Sequence, residues 1–143
     1  MFEKLWNQFR RPRSDAGPSK TERQLEELNE RVREFQRKGQ YEYALGAAVE
    51  VGKLVEKYFG AEHPDFVWSL KDQAFFEQQL GDYRAAESHY QAAYDAAQSL
   101  FGAQDVETGR ILHAQGKLYR AAGDHQRAAS CFEEGLGILR STG

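Results

Sequence analysis

Apolar residues recur every three or four positions along most of the chain, the spacing that lines one face of an α-helix. In mid-sequence, Leu70, Ala74, Phe76 and Leu80 lead up to Gly81-Asp82, and Ala86, Tyr90, Ala93 and Ala97 resume the pattern beyond it. That pair breaks the period and predicts a tight turn between two antiparallel helices. At the start of the chain, Phe2, Leu5, Trp6 and Phe9 fall at i, i+3, i+4 and i+7, which predicts a short amphipathic helix over about residues 2–10. The stretch "RRPRSDAGPSK" then supplies Pro12, Gly17 and Pro18 and reads as a flexible linker. Ser19 stands three residues before Glu22, the spacing of a capping box, so a new helix is expected near residue 20. The expected organisation is an amphipathic helix within 1–11, a linker over 12–19 and a six-helix domain over 20–143.

The helix pairs repeat. "GQYEYALGAA", "GDYRAAESHY" and "GDHQRAASCF" place glycines at 39, 81 and 123, and "YFGAEHPD" and "LFGAQDVE" place them at 60 and 102, a constant step of 42 residues. Such a step is the mark of stacked units, here over about 24–60, 66–102 and 108–140. Ala44, Ala86 and Ala128 recur early in each second helix, where a small side chain lets two helices approach closely. Gly60 and Gly102 are expected to close a helix in a left-handed conformation. His63-Pro64-Asp65 is expected to open the next, with the proline in its first turn.

These residues resemble the tetratricopeptide repeat in the 42-residue form of kinesin light chains. "LHAQGKLYRAAGDHQRAASCFEEGL" carries the pattern best, through Gly116, Leu118, Tyr119, Gly123, Ala128, Phe132 and Gly135. The Leu-Gly-x-x-His-Pro element between long repeats is matched by Phe59 through Pro64, whereas the copy from Phe101 to Val106 lacks His-Pro. Repeat one diverges most, with Leu28, Val32 and Phe35 at its first-helix positions. The resemblance covers about residues 24–140. It implies an all-α fold: three stacked helix-turn-helix repeats forming a right-handed solenoid, behind the short N-terminal helix.

It also implies a non-catalytic adaptor whose concave groove binds an extended peptide or a partner helix. Carried onto this sequence, the groove positions are Asn29, Glu30, Arg33 and Arg37 in repeat one. Repeat two supplies Trp68, Lys71, Asp72, Phe75 and Gln78, and repeat three Arg110, His113, Lys117 and Arg120. An aromatic floor beside a basic stripe suits a protein segment with apolar anchors and an acidic end. The carboxylate-clamp variety of the family is not expected: only Arg110 and Asn29 resemble its set, and Asp72 would repel a carboxylate.

Charge sharpens this picture. The chain carries a net charge of −3, yet Lys4, Arg10, Arg11 and Arg13 against Glu3 give residues 1–13 a charge of +3, leaving −6 on the remainder. An acidic body argues against nucleic acid as a partner. No apolar run approaches the ~20 residues that span a bilayer, and the spaced apolar residues of the N-terminus are not a secretory signal. With Cys131 alone there is no internal disulfide framework, so a cytoplasmic location is expected.

Catalytic and metal chemistry are not expected. His63, His89, His113 and His125 show no ligand spacing with one another or with Cys131. Cys131, beside Phe132, reads as a small buried apolar residue. Gly135-Leu136-Gly137 lacks the strand-turn-helix setting of a phosphate loop, and Glu133-Glu134 reads as solvent-facing. No cofactor is implied.

The opening helix is too short to persist alone. Three surfaces could take Phe2, Leu5, Trp6 and Phe9, with Arg10 and Arg11 at their end. The first is the protein itself or a second copy, through the last helix with Leu136, Ile138 and Leu139. The second is an anionic membrane, which would make the protein peripheral there. The third is a groove on another protein. A docking or self-association role is the primary expectation and membrane recruitment the alternative.

Overall fold

In the computed structural model, which describes residues 19–142, the turn glycines all do the same work. Gly39, Gly81 and Gly123 have φ of +70°, +84° and +85°, where a side chain would strain the backbone. Each lets two amides reach back over the end of a helix. Gly39 N–H donates to Gln36 O at 3.1 Å and Gln40 N–H to Phe35 O at 2.8 Å. The same pair recurs from Gly81 to Gln78 (3.0 Å) and Asp82 to Glu77 (2.9 Å), and from Gly123 to Arg120 (3.1 Å) and Asp124 to Tyr119 (2.8 Å). This double closure is the Schellman motif, repeated at the 42-residue step.

Six helices result among the described residues: α1 (Lys20–Arg37), α2 (Tyr41–Phe59), α3 (Pro64–Gln79), α4 (Tyr83–Phe101), α5 (Val106–Ala121) and α6 (His125–Thr142). The two starts that the sequence predicts are capped, while Gln40 before α2 makes no side-chain cap. Ser19 Oγ accepts from Glu22 N–H at 3.2 Å while Glu22 Oε2 accepts from Ser19 N–H at 3.1 Å, a complete capping box. His63 Nδ1 accepts from Asp65 N–H at 3.1 Å, and Pro64 occupies the first turn. Asp105, one repeat on, takes over the same task by accepting from Glu107 N–H at 2.9 Å. Loss of the His-Pro element therefore costs the second junction nothing in capping. Gly60 and Gly102 do carry positive φ, but their ψ of 167° and 155° sends the chain off extended rather than left-handed.

Packing runs between sequence neighbours, as in a solenoid. Leu25 and Val32 of α1 meet Ala44, Ala48, Val51 and Val55 of α2, and Phe76 from α3 closes that cluster with no exposed surface. Ile111 and Leu118 of α5 play the same part against Val67 and Leu70, and against Ala74, Ala86 and Tyr90. The core is thus a row of clusters, each completed by the following repeat. Leu80 stands outside it: the residue the period places with the core is the C-cap of α3 and is 45% exposed.

Close approaches depend on small residues. Ala44, Ala86 and Ala128 are all buried. Gly135 of α6 lies against α5: a Cβ there would stand 3.1 Å from Gly109 O and 3.4 Å from Leu112 Cβ. Two positions on, a Cβ at Gly137 would meet nothing within 4 Å. The amphipathic helix expected at 2–10, with Phe2, Leu5, Trp6, Phe9, Arg10 and Arg11, and the linker before Ser19 lie outside the described residues.

This contrast makes a paired prediction. Gly135→Ala gains about 0.5–1 kcal/mol of helix propensity but meets a backbone oxygen, and overpacking of that kind costs about 1–3 kcal/mol. Thermal unfolding should show Gly135→Ala melting below the parent and Gly137→Ala above it. The reverse order would mean that α5 and α6 do not cross at these glycines.

Candidate functional site

The stripe with most to offer a ligand lies on the first helix of each repeat. On α3, Trp68, Lys71, Asp72, Phe75 and Gln78 are all half-buried, at the spacing of one continuous face. Neighbouring positions such as Ala74 and Phe76 are fully buried. The aromatic members are anchored from behind: Phe75 packs edge-on against Tyr41 and Phe76 at centroid distances of 6.3 and 5.6 Å, and Trp68 lies 6.4 Å from Phe101.

The 42-residue step carries this stripe to its neighbours. Asn29 and His113 correspond to Lys71, and Arg33 and Lys117 to Phe75. Asn29 is half-buried; Glu30, Arg33, Arg110, His113, Lys117 and Arg120 are exposed. Arg37 is exposed too, but it corresponds to Gln79; Gln36 is the repeat-one equivalent of Gln78 and Arg120.

Charges on the three first helices act on one another. Burial pushes the Lys71 ammonium below its usual value, opposed by Glu107 and Asp72 and reinforced by Arg110. Burial likewise raises the Asp72 carboxyl to about 6, although Lys71 and Arg33 pull the other way. Arg33 on α1, Lys71 and Asp72 on α3, and Glu107 and Arg110 on α5 therefore form one electrostatic row. Glu107, which sequence reasoning missed, is buried and accepts from Arg110 at 2.8 Å. A signal for it existed: Asp65 and Glu107 are 42 residues apart, and both are buried acids two residues past a cap.

The basic residues of repeat three divide. Arg110 is tied to Glu107, whereas His113, Lys117 and Arg120 gather with Phe132 and Leu136 around a cleft of about 310 Å³. The Phe132 ring centroid lies 5.2 Å from His113 and 5.6 Å from the Arg120 guanidinium, a cation–π arrangement. Tyr90, the repeat-two equivalent of Phe132, is 3% exposed, so in repeat two this position is covered.

Two further buried titratable groups, Glu77 and His63, have structural partners. Glu77, buried on α3, is bonded to His89 Nδ1 on α4. The His63 imidazole is a helix cap, and burial lowers its pKa. Cys131 is half-buried with its thiol pKa raised, chiefly by burial. Glu133 and Glu134 are exposed. Among the described residues no cluster of three or more His, Cys, Asp or Glu is placed to hold a metal ion, and no helix is long and apolar enough to cross a membrane.

Comparison with known proteins agrees with this architecture. The tetratricopeptide repeat family matches residues 65–141. Two curated proteins, the clustered mitochondria protein homologs of Aspergillus niger and Emericella nidulans, are each 26% identical over 94 residues. Those matches cover 66% of this chain and only 7% of each relative. Among solved structures, BtubC (BKLC) from P. vanneervenii superposes with a TM-score of 0.79 at 20% identity, over 89% of this chain and 50% of that one. Nearly identical TPR-like repeats of the kinesin-light-chain kind from Podosopora anserina give a TM-score of 0.72 at 22% identity, covering 82% and 56%.

Asp72 offers a test of the inner row. Its carboxyl takes a proton more readily in the folded chain than in the unfolded one. Its ionisation therefore weakens the fold as pH rises through about 6, and that stability returns as pH falls toward 4. Asp72→Asn should raise stability at about pH 7.5 by about 1–2 kcal/mol, and the gain should shrink by more than half at about pH 4.5. A destabilised Asp72→Asn at neutral pH would mean that attraction to Arg33 and Lys71 outweighs the burial.

Proposed function

The chain belongs to the tetratricopeptide repeat family, a family of interaction modules that bind protein partners and are typically non-catalytic, and from that premise we propose that it is an adaptor. It takes an extended peptide or a partner helix along the inner stripe of its first helices. The observation that carries this reading is the half-buried row Trp68, Lys71, Asp72, Phe75 and Gln78, continued by Arg33 on one side and by Arg110, His113, Lys117 and Arg120 on the other. Half-exposed aromatic residues already held from behind lose little freedom on binding, which makes them good anchors. The excess of cations along the row favours a partner segment with an acidic end. Asn29, the repeat-one equivalent of Lys71, continues the same row, whereas Arg37 falls one position off it.

In this reading the N-terminal segment is a second docking element, with Phe2, Leu5, Trp6 and Phe9 as its contact stripe. A peripheral membrane role is the competing reading, favoured by the +3 charge of residues 1–13. Salt separates the two: binding of the chain to anionic vesicles that weakens as salt rises would support membrane recruitment.

Peptide display on the immobilised chain tests the groove. Selected peptides should combine an aromatic residue with Asp or Glu, and a Lys71→Glu/Lys117→Glu variant should bind them about tenfold more weakly or worse, about 1.4 kcal/mol. Glu133→Lys, at an exposed site on α6, serves as the control and should leave affinity unchanged. Selected peptides that bind the double variant as well as the parent would falsify the groove reading.

A further inference from the structure

The flank that α1 and α2 turn away from the stack is a groove that interior repeats fill. Leu28, Leu70 and Leu112 share one repeat position. Leu70 and Leu112 are buried, but Leu28 is only half-buried. In repeats two and three the second helix of the preceding repeat covers this flank. A Cβ on Gly52 of α2 would stand 3.0 Å from Ser69 Oγ and 3.3 Å from Gln73 Nε2 of α3, and Gln115 of α5 reaches Gln91 of α4 at 3.5 Å. At α1 the equivalent positions, Glu27 and Arg31, border a cavity of about 400 Å³. Leu28 and Leu54 line it, with Gln24 and Arg31 at one pair of ends and Lys57 and Glu50 at the other.

We propose that residues 2–9 of the same chain seat in this groove, as the helix that precedes α1, with Phe2, Leu5, Trp6 and Phe9 against Leu28 and Leu54. The inference rests on reading the N-terminal segment as a docking element and is independent of what binds the inner stripe.

Three features select this occupant. The first is length. The groove runs from Gln24 to Arg31 on α1 and from Glu50 to Lys57 on α2, seven residue steps on each. The stripe from Phe2 to Phe9 is also seven steps, about 10.5 Å of helix.

The second is connection. Nine residues, 10–18, separate the seated segment from Ser19, a length that as a flexible coil would span about 15–18 Å. This stretch ends at Ser19, one turn from the groove, and lets the segment run antiparallel to α1 as α2 runs to α3. The cleft around Phe132 lies on α5 and α6, with α3 and α4 between it and this groove, so it is the more distant surface for a segment tethered at Ser19.

The third is side-chain size. At the junction of repeats one and two the facing residue is Gly52, where a Cβ would crowd the Ser69 hydroxyl at 3.0 Å, whereas one repeat on the same position is Tyr94, packed beside Leu70 and Ile111. An aromatic ring is thus already accommodated on this flank, and the edge groove of about 400 Å³ suits an indole and phenyl rings. Tethering supplies the segment at an effective concentration near the millimolar range, so weak contacts suffice.

Hydrogen exchange of the full chain without lipid tests this, alongside Leu28→Glu/Leu54→Glu and Leu136→Glu variants checked for parental helicity. The amides of residues 2–9 should exchange about tenfold more slowly or better in the parent and in Leu136→Glu than in the double variant, at every protein concentration. A nitroxide at Lys53→Cys in a Cys131→Ser background should broaden the signals of residues 2–9, and one at Glu133→Cys should not. This second readout needs no change to the groove floor.

Protection lost only in Leu136→Glu, or rising with concentration, would overturn the groove assignment and leave a docking helix that uses the other edge or a second copy. Fast exchange at residues 2–9 that slows only with anionic vesicles would overturn both the groove and the self-docking reading. Fast exchange under every condition would do the same.

Discussion

A helix pair of this kind cannot bury both of its flanks by itself, and the rest of the molecule follows from that constraint. Each pair presents one flank to the unit before it and the other to the unit after. Phe76 is fully buried because α3 leans back on the cluster of repeat one, and Ile111 and Leu118 are buried because α5 does the same to repeat two. Contacts of this kind must recur at a fixed step, so the turns must too. Three Schellman closures at Gly39, Gly81 and Gly123 set the angle between paired helices, and Gly52, Gly109 and Gly135 set how closely helices approach. The period visible in the sequence is thus the trace of a geometric requirement, with glycine wherever backbone must turn or nearly touch.

Stacking also explains why charge collects on the inner face. First helices line up side by side, so one polar position per repeat becomes a row across the molecule. Lys71 and Asp72 feel Arg33 from one neighbour and Glu107 and Arg110 from the other. Among the described residues Lys71 and Asp72 lack the close ion pairs that join Arg110 to Glu107 at 2.8 Å and Arg33 to Glu30 at 3.1 Å. Burial pushes Lys71 and Asp72 toward their neutral forms, and that is a cost the fold carries at a surface and not in its core. Costs of this sort are commonly retained where a surface recognises something.

Legibility followed the same division. Most of what backbone geometry governs was readable: the turn glycines at 39, 81 and 123, the capping box of Ser19 and Glu22, Pro64 in a first turn and the small Ala44, Ala86 and Ala128, though not the extended ψ of Gly60 and Gly102. The α3 positions that the resemblance supplied, Trp68, Lys71, Asp72, Phe75 and Gln78, are all half-buried. What failed depended on neighbours that one helix cannot reveal. Leu80 satisfies the apolar period yet terminates α3 and faces solvent. The family resemblance placed His113, Lys117 and Arg120 in one groove stripe with Arg110. Phe132, which draws those three together, sits on the other helix of the repeat. Glu107 escaped notice because a buried acid looks like any other carboxylate until its partner is known.

The fate of the buried polar groups bears on what sort of molecule this is. His63 carries a ring that elsewhere serves as a base, but its Nδ1 is used by the Asp65 amide and its pKa is lowered by burial. Glu77, nearly as buried, is taken by His89 from the facing helix. Thr108 spends its hydroxyl on Gly102 O at 2.8 Å, and Ser69 on Phe66 O at the same distance. A buried polar atom must find a partner or cost the fold about 1–3 kcal/mol. In a stack of helices the nearest partners are caps and neighbouring turns. Each of these groups holds a cap, a turn or a facing helix in place, and what the stack presents outward is half-buried aromatic rings, a row of charges and the flanks of the terminal repeats.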